Sequence, residues 1–124
     1  EKSVLPFSLT ASDLSLVSVA DGMESLVAPS KLYPAMAAGR PIAAICPVHS
    51  YLRSLLDAAS AGAAFDNGAA SALADYIRHL SLNKAEAKRL GDSGRAYMQA
   101  HFTPEIISHQ YTTVLKQAAS STAD

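Results

Sequence analysis

Apolar residues recur along this chain in two rhythms, one short and strand-like, the other spaced as on a helix face. Leu14, Leu16 and Val17 through Val19 form the first strand-like run, over residues 14–19, and it stops at the turn signal Asp21-Gly22. Pro41 opens a second run, Ile42 to Cys46, short and continuous as in a strand buried on both faces of a parallel sheet. Between the two, a helix is expected to begin at Pro29 and Ser30. Proline suits a first helical position, serine can cap free N–H groups, and Gly39 can end the helix. The unit is strand, loop, helix, strand: a βαβ crossover, the organising element of the chain.

The same alternation continues. Val48, Leu52, Leu55, Leu56 and Ala59 fall at helical spacing after Pro47, Ala61-Gly62 ends that helix, and residues 63–65 make a brief third strand closed by Asp66-Asn67-Gly68. From Ser71 a helix carries Leu73, Ile77 and Leu80. Residues 84–102 are rich in helix formers, and Thr103-Pro104-Glu105 supplies a cap, a first-position proline and an acidic first turn. The last helix places Ile107, Tyr111, Val114, Leu115 and Ala118 on one face, and residues 120–124 are expected to fray. At the other end, residues 4–7 read as the tail of an earlier element and residues 8–12 as a helical turn.

The fold class is therefore α/β: a partial Rossmann-like, doubly wound parallel sheet of about three strands, with flanking helices and two carboxyl-terminal helices. Length agrees with one domain over residues 1–124, near the lower end for a complete sheet of this kind. Three strands are about half of the usual open sheet, so the domain reads as partial, with the missing portion on the amino-terminal side.

Charge narrows the partners. With 17% charged residues and a net charge of −1, the chain offers no basic surface for nucleic acid. Its 49% hydrophobic content is carried largely by alanine, and no run approaches the roughly 20 apolar residues of a membrane span. Glu1-Lys2-Ser3 lacks the order of a signal peptide, and the single cysteine, Cys46, cannot form an internal disulfide, so a cytoplasmic setting is expected, with membrane association through a longer parent as the variant. Cys46, at the end of an apolar run, reads as buried filler.

Candidate chemistry concentrates after the first strand. In a βαβ unit the helix N-terminus lies at the carboxyl end of the parallel strand, where free N–H groups and the helix dipole attract anions. Lys31 in that first turn is unfavourable for the dipole and becomes sensible beside a phosphate. The plain alternative is a capped helix with an exposed lysine, and spacing alone leaves both open. Gly22 and Gly39 are simplest as turn residues, and Pro34 implies that the helix starts late or kinks. His49, His79, His101 and His109 show no metal-ligand spacing, Asp66-Asn67 holds too few carboxylates for calcium, and no Gly-x-Ser-x-Gly elbow is present.

The strand at 14–19, Gly22-Met23-Glu24, Pro29-Ser30-Lys31-Leu32-Tyr33, Ala37-Ala38-Gly39-Arg40-Pro41, Gly62 before a short strand, and Thr103 before the closing helix together resemble the carboxyl-terminal half of retaining family-4 (group 1) glycosyltransferases of the two-domain GT-B fold. The resemblance runs from about Val4 to Lys116. It implies a nucleotide-sugar donor lying against this domain, with Gly22, Met23, Glu24, Pro29, Ser30, Lys31 and Leu32 in the donor-binding segment, and no catalytic residue, cofactor or metal carried by this portion. The family's usual pair of glutamates would fall on Leu26 and Pro34, so neither carboxylate is present, and Glu24 is either a substitute for the first or a solvated loop acid.

The function implied is donor binding within an enzyme that moves a sugar from an activated donor to a hydroxyl acceptor, carried out together with a missing amino-terminal glycosyltransferase domain. The isolated chain is expected to be inactive. The alternative is a non-catalytic scaffold or assembly module of the same ancestry, and a stand-alone phosphate-binding protein ranks third. Without its neighbours the strand at 14–19 would be an open edge, which predicts a homodimer across it or cover from residues 3–10.

Overall fold

A computed structural model describes residues 4–23 and 30–121. The elements run α1 (Leu5–Ala11), β1 (Ser15–Ser18), α2 (Leu32–Ala37), β2 (Ile42–Ile45), α3 (Tyr51–Ala59), β3 (Gly62–Phe65), α4 (Ala70–Leu82), α5 (Lys84–His101) and α6 (Pro104–Ser121). The three strands are parallel in the order β1-β2-β3, with Ser15 opposite Ile42 and Ile42 opposite Gly62. The expected α/β sheet with helices between its strands is the architecture found.

Side chains alternate across β2, and the two faces meet different helices. Ile42, Ala44 and Cys46 join Val17, Leu32 and Met36 from the α2 side and Leu52 and Leu56 from α3 in one dry core. Cys46 is fully buried there, the filler role its position suggested. On the opposite face Phe65 meets Tyr76 of α4 with ring centroids 5.4 Å apart. Burial, with a smaller contribution from Glu86, pushes the Tyr76 hydroxyl up from its ordinary value.

Several local expectations shift. The segment from residue 4 is one helix, α1, with Pro6 in its first turn, rather than the tail of an earlier element and a separate turn. Helix α3 starts at Tyr51, with the Ser50 hydroxyl accepting from the Leu52 N–H at 3.3 Å, so Val48 lies outside the apolar stripe and is exposed. Ser60, in the left-handed region at φ 46°, ends α3, and Gly62 instead begins β3. A Cβ on Gly62 would lie 1.8 Å from the Ile42 carbonyl oxygen, so the β2–β3 approach requires glycine there.

Helix α2 also begins later than its sequence suggested. Its N-cap is Lys31, in helical conformation and without a side-chain cap, and Ser30 lies in the preceding turn. Pro29, expected at the first helical position, falls outside the described residues. The late start explains Pro34: it occupies the third helical position, where the N–H has no intrahelical partner to lose. Its carbonyl accepts normally from Ala38 at 2.9 Å.

Helix α5 closes the core by unusually close approach. A Cβ on Gly91 would fall 2.1 Å from the carbonyl oxygen of Gly39, and one on Gly94 would fall 3.0 Å from the Ala61 Cβ. The two glycines bring the helix backbone onto the end of α2 and the start of β3. Gly39 itself, at φ 67°, turns the chain out of α2, and the Arg95 Nε donates to the Ala37 carbonyl at 2.9 Å. Beyond Phe102, α6 is capped as expected, Thr103 accepting from the Ile106 N–H at 3.3 Å, but Tyr111, Val114 and Leu115 of its apolar stripe are exposed. No helix among the described residues is long and apolar enough to cross a membrane.

Gly91→Ala adds roughly 1 kcal/mol of helix propensity but forces backbone apart. A net loss of about 2 kcal/mol or more is expected. Gly94→Ala meets only another methyl group and should cost clearly less. Paired denaturant titrations check the order, and equal stabilities would show that α5 does not depend on the Gly39 contact.

Candidate functional site

The carboxyl ends of parallel strands are where an open α/β sheet gathers its loops, and three loops meet here. The loop after β1 begins with Asp21, Gly22 and Met23. Gly22 adopts φ 80° and is exposed, and the Met23 N–H donates to the Ala20 carbonyl at 3.1 Å to close the turn. Asp21 then reaches across the sheet: its Oδ1 accepts from Asn67 Nδ2 at 2.6 Å, tying the loop after β1 to the loop after β3.

Arg53 makes the second tie. From the first turns of α3 its Nε donates to the Pro47 carbonyl at 3.2 Å and its Nη2 to the Cys46 carbonyl at 3.0 Å, while the same Nη2 pairs with the Asp66 carboxylate. The loop after β2 is thereby fixed to the loop after β3. Asp66 and Asn67 serve these ties and were legible in sequence only as turn residues. Their partners Asp21 and Arg53 carried no motif. The signal available was topological, since residues just past three parallel strands must converge.

Ser30 and Lys31 lie at the start of α2, both exposed, and line a cavity of about 480 Å³. Its walls are the open side of β1, Leu5 and Leu9 of α1, and Pro34 and Ala35 of α2. The cavity is mostly apolar, with Lys31 the one cation among the described residues that line it. Ala35 donates to the Lys31 carbonyl at 3.2 Å, the first turn of α2, so the Leu32 and Tyr33 N–H groups precede the intrahelical ladder.

The donor-segment residues therefore separate. Ser30 and Lys31 share the cavity wall. Gly22 and Met23 lie in the neighbouring loop, Met23 being 40% exposed. The Leu32 side chain is fully buried in the core beside Met36, which leaves only its backbone to face a ligand. Glu24, Pro29 and the position Leu26 fall outside the described residues. Pro34 lines the cavity with a side chain that has no hydrogen-bonding group.

Near the same end of the sheet, Tyr51 opens α3. Partial burial, and then the neighbouring Tyr33 phenol, pushes its hydroxyl above the ordinary value, so it remains a protonated donor at neutral pH. Tyr33 in turn packs edge-on against Phe102, with centroids 5.0 Å apart, which fixes the first turn of α2 against the α5–α6 junction. Among the described residues no group of His, Cys, Asp and Glu side chains could hold a metal ion.

No protein-family model matches the chain, and no curated protein matches it. Among solved structures it is similar to a sucrose-phosphate synthase from Thermosynechococcus elongatus, with a TM-score of 0.74 and 25% identity. The match covers 92% of this chain and 27% of the synthase, so the chain spans about a quarter of that protein's length. The synthase is a GT-B glycosyltransferase, and the present chain has the fold of a glycosyltransferase-like domain.

Removing Arg53 takes a donor from the Cys46 carbonyl and one of two donors from the Pro47 carbonyl, which keeps the Ser50 N–H, and it loosens the loop after β3. Arg53→Ala is expected to cost about 1–3 kcal/mol. Asp66→Asn should cost less than about 1 kcal/mol, because the carboxylate is largely exposed. Urea titrations of both variants check the order, and a stability loss for Asp66→Asn equal to that for Arg53→Ala would make the ion pair, not the carbonyls, the main tie.

Proposed function

We propose that this chain is the nucleotide-sugar-binding part of a retaining glycosyltransferase, and that the whole enzyme transfers a sugar from a nucleoside-diphosphate donor to a hydroxyl acceptor. The observation that carries the reading is the cavity bearing Ser30 and Lys31 along the open side of β1, in a fold matched over 92% of the chain by a glycosyltransferase. In this reading the Lys31 ammonium offsets diphosphate charge that grows as the glycosidic bond to the leaving nucleotide breaks, which lowers the barrier where charge develops. The free N–H groups at the start of α2 add oriented dipoles.

Acceptor binding lies with an amino-terminal domain in this reading. The chain alone holds a donor half and is inactive. A second reading, a non-catalytic scaffold of the same ancestry, is favoured by Pro34, whose ring stands where a ribose-binding carboxylate would be expected.

Titration with a nucleoside diphosphate, followed by amide NMR, separates the two readings. Saturable shifts at Ser30, Lys31 and Leu32 are expected, and Lys31→Ala should weaken binding by about 1–3 kcal/mol, as for loss of a charge-assisted hydrogen bond. No saturable shift, in this chain or in a longer polypeptide that includes it, would favour the scaffold.

The open side of β1 is part of the same proposal. Ser15 and Val19 direct their N–H groups to β2, at 2.9 Å from the Pro41 and Ile45 carbonyls, so the intervening Leu16 and Ser18 turn theirs outward. Helix α1 flanks this edge without pairing with it, and Leu16 is 53% exposed. A further strand of the parent domain, or a second copy, completes the sheet there. In the chain alone, Leu16 and Ser18 amides are expected to exchange faster than those of Ala43 and Ala44. Protection that rises with protein concentration would identify a second copy as the partner.

A further inference from the structure

The opposite end of the sheet holds a second cavity, of about 470 Å³, and it is charged where the first is apolar. Arg40, Lys84, Lys88 and Arg95 line it together with Asp13 and Asp92. Four cations against two carboxylates give this pole a local charge of +2 in a chain whose net charge is −1. The cations come from two places: the turn between α2 and β2, and one face of α5.

Neither arginine is neutralised. Arg95 donates its Nε to the Ala37 carbonyl and Arg40 its Nη2 to the Thr10 carbonyl, and among the described residues neither pairs with a carboxylate. The Arg40 Nε is buried and has no hydrogen-bond partner among the described residues. The lysines are engaged only at the surface, Lys84 with Asp13 at 3.4 Å and Lys88 with Asp92 at 2.5 Å, pairs that are exposed and weak.

The placement also works against the helix. Lys84 opens α5 and Lys88 follows one turn later, at the positive end of an 18-residue helix dipole, and Asn83 supplies no side-chain cap. Cations at that end are unfavourable, and two unpaired arginines beside them add repulsion. A bound dianion adds attraction to each of these cations and to the helix N-terminus and so offsets that repulsion. The volume also falls within the range of small-ligand sites.

We propose that this cavity binds a phosphate group of a small molecule, held by Arg40 and Lys88 across the mouth and by Arg95 from the α5 face. The site is separate from the cavity at Ser30 and Lys31. It lies at the amino ends of β1 and β2 and shares no lining residue with that cavity, whose wall runs along β1 from Ser12 to Val17, and it does not depend on the donor-binding reading. Because its walls are the α2–β2 turn and α5, a ligand there would brace the Gly39–Gly91 contact.

The test uses inorganic phosphate and pyrophosphate on the full chain, with amide NMR as the readout. Saturable shifts are expected at Gly39, Arg40, Ala87 and Lys88 and not at Ser30 or Lys31. Lys88→Gln, on an exposed side chain that leaves the fold intact, should weaken binding about tenfold, and Arg40→Gln should do at least as much. Lys31→Ala should leave it unchanged. Shifts that rise linearly without saturation, or that survive Lys88→Gln undiminished in a chain whose melting is unaltered, would overturn the site.

Discussion

The close approach of Gly91 to the Gly39 carbonyl is the constraint on which the rest of this domain depends. A helix backbone that near to a turn leaves no room for any side chain between them. The contact sets α5 against the end of α2, brings Gly94 onto Ala61, and lets Arg95 satisfy a terminal carbonyl of a helix only six residues long. A helix that short has little stability of its own. Its position, and with it that of Ser30 and Lys31 at the other end, is inherited from what it packs against.

Two different chemistries occupy the two ends of the same short sheet. At the carboxyl ends, Asp21–Asn67 and Arg53–Asp66 join three loops through polar contacts, and the apolar cavity beside β1 presents one lysine at a helix start. At the amino ends, cations from α5 and the α2–β2 turn face one another with too few carboxylates to balance them.

How much of this was visible before the fold was known varies by element. The strand-helix alternation was legible because β2, buried on both faces, reads as a continuous apolar run between helix-spaced segments, and Thr103-Pro104 marked the start of α6 through cap chemistry alone. Helix α2 starts three residues later than expected, at Leu32 rather than Pro29. Ser30 and Pro29 carry strong capping propensities, yet the chain turns at Ser30 and enters the helix after Lys31, where Pro34 can occupy the third position without losing a hydrogen bond. Gly91 and Gly94, within a stretch read only as rich in helix formers, are the contact surface of α5.

Sequence by itself determined the fold class, the order of the elements and the burial of Cys46, because each follows from local periodicity and side-chain hydrophobicity. It also singled out Ser30 and Lys31, since charge at a helix start is a local property. Only the tertiary structure decided that Leu32 belongs to the core, that Asp21 and Arg53 hold the loops together, and that Arg40, Lys84, Lys88 and Arg95 converge. Those residues are up to 55 positions apart, Arg40 to Arg95, and nothing in a one-dimensional pattern records which of them the crossovers will place side by side.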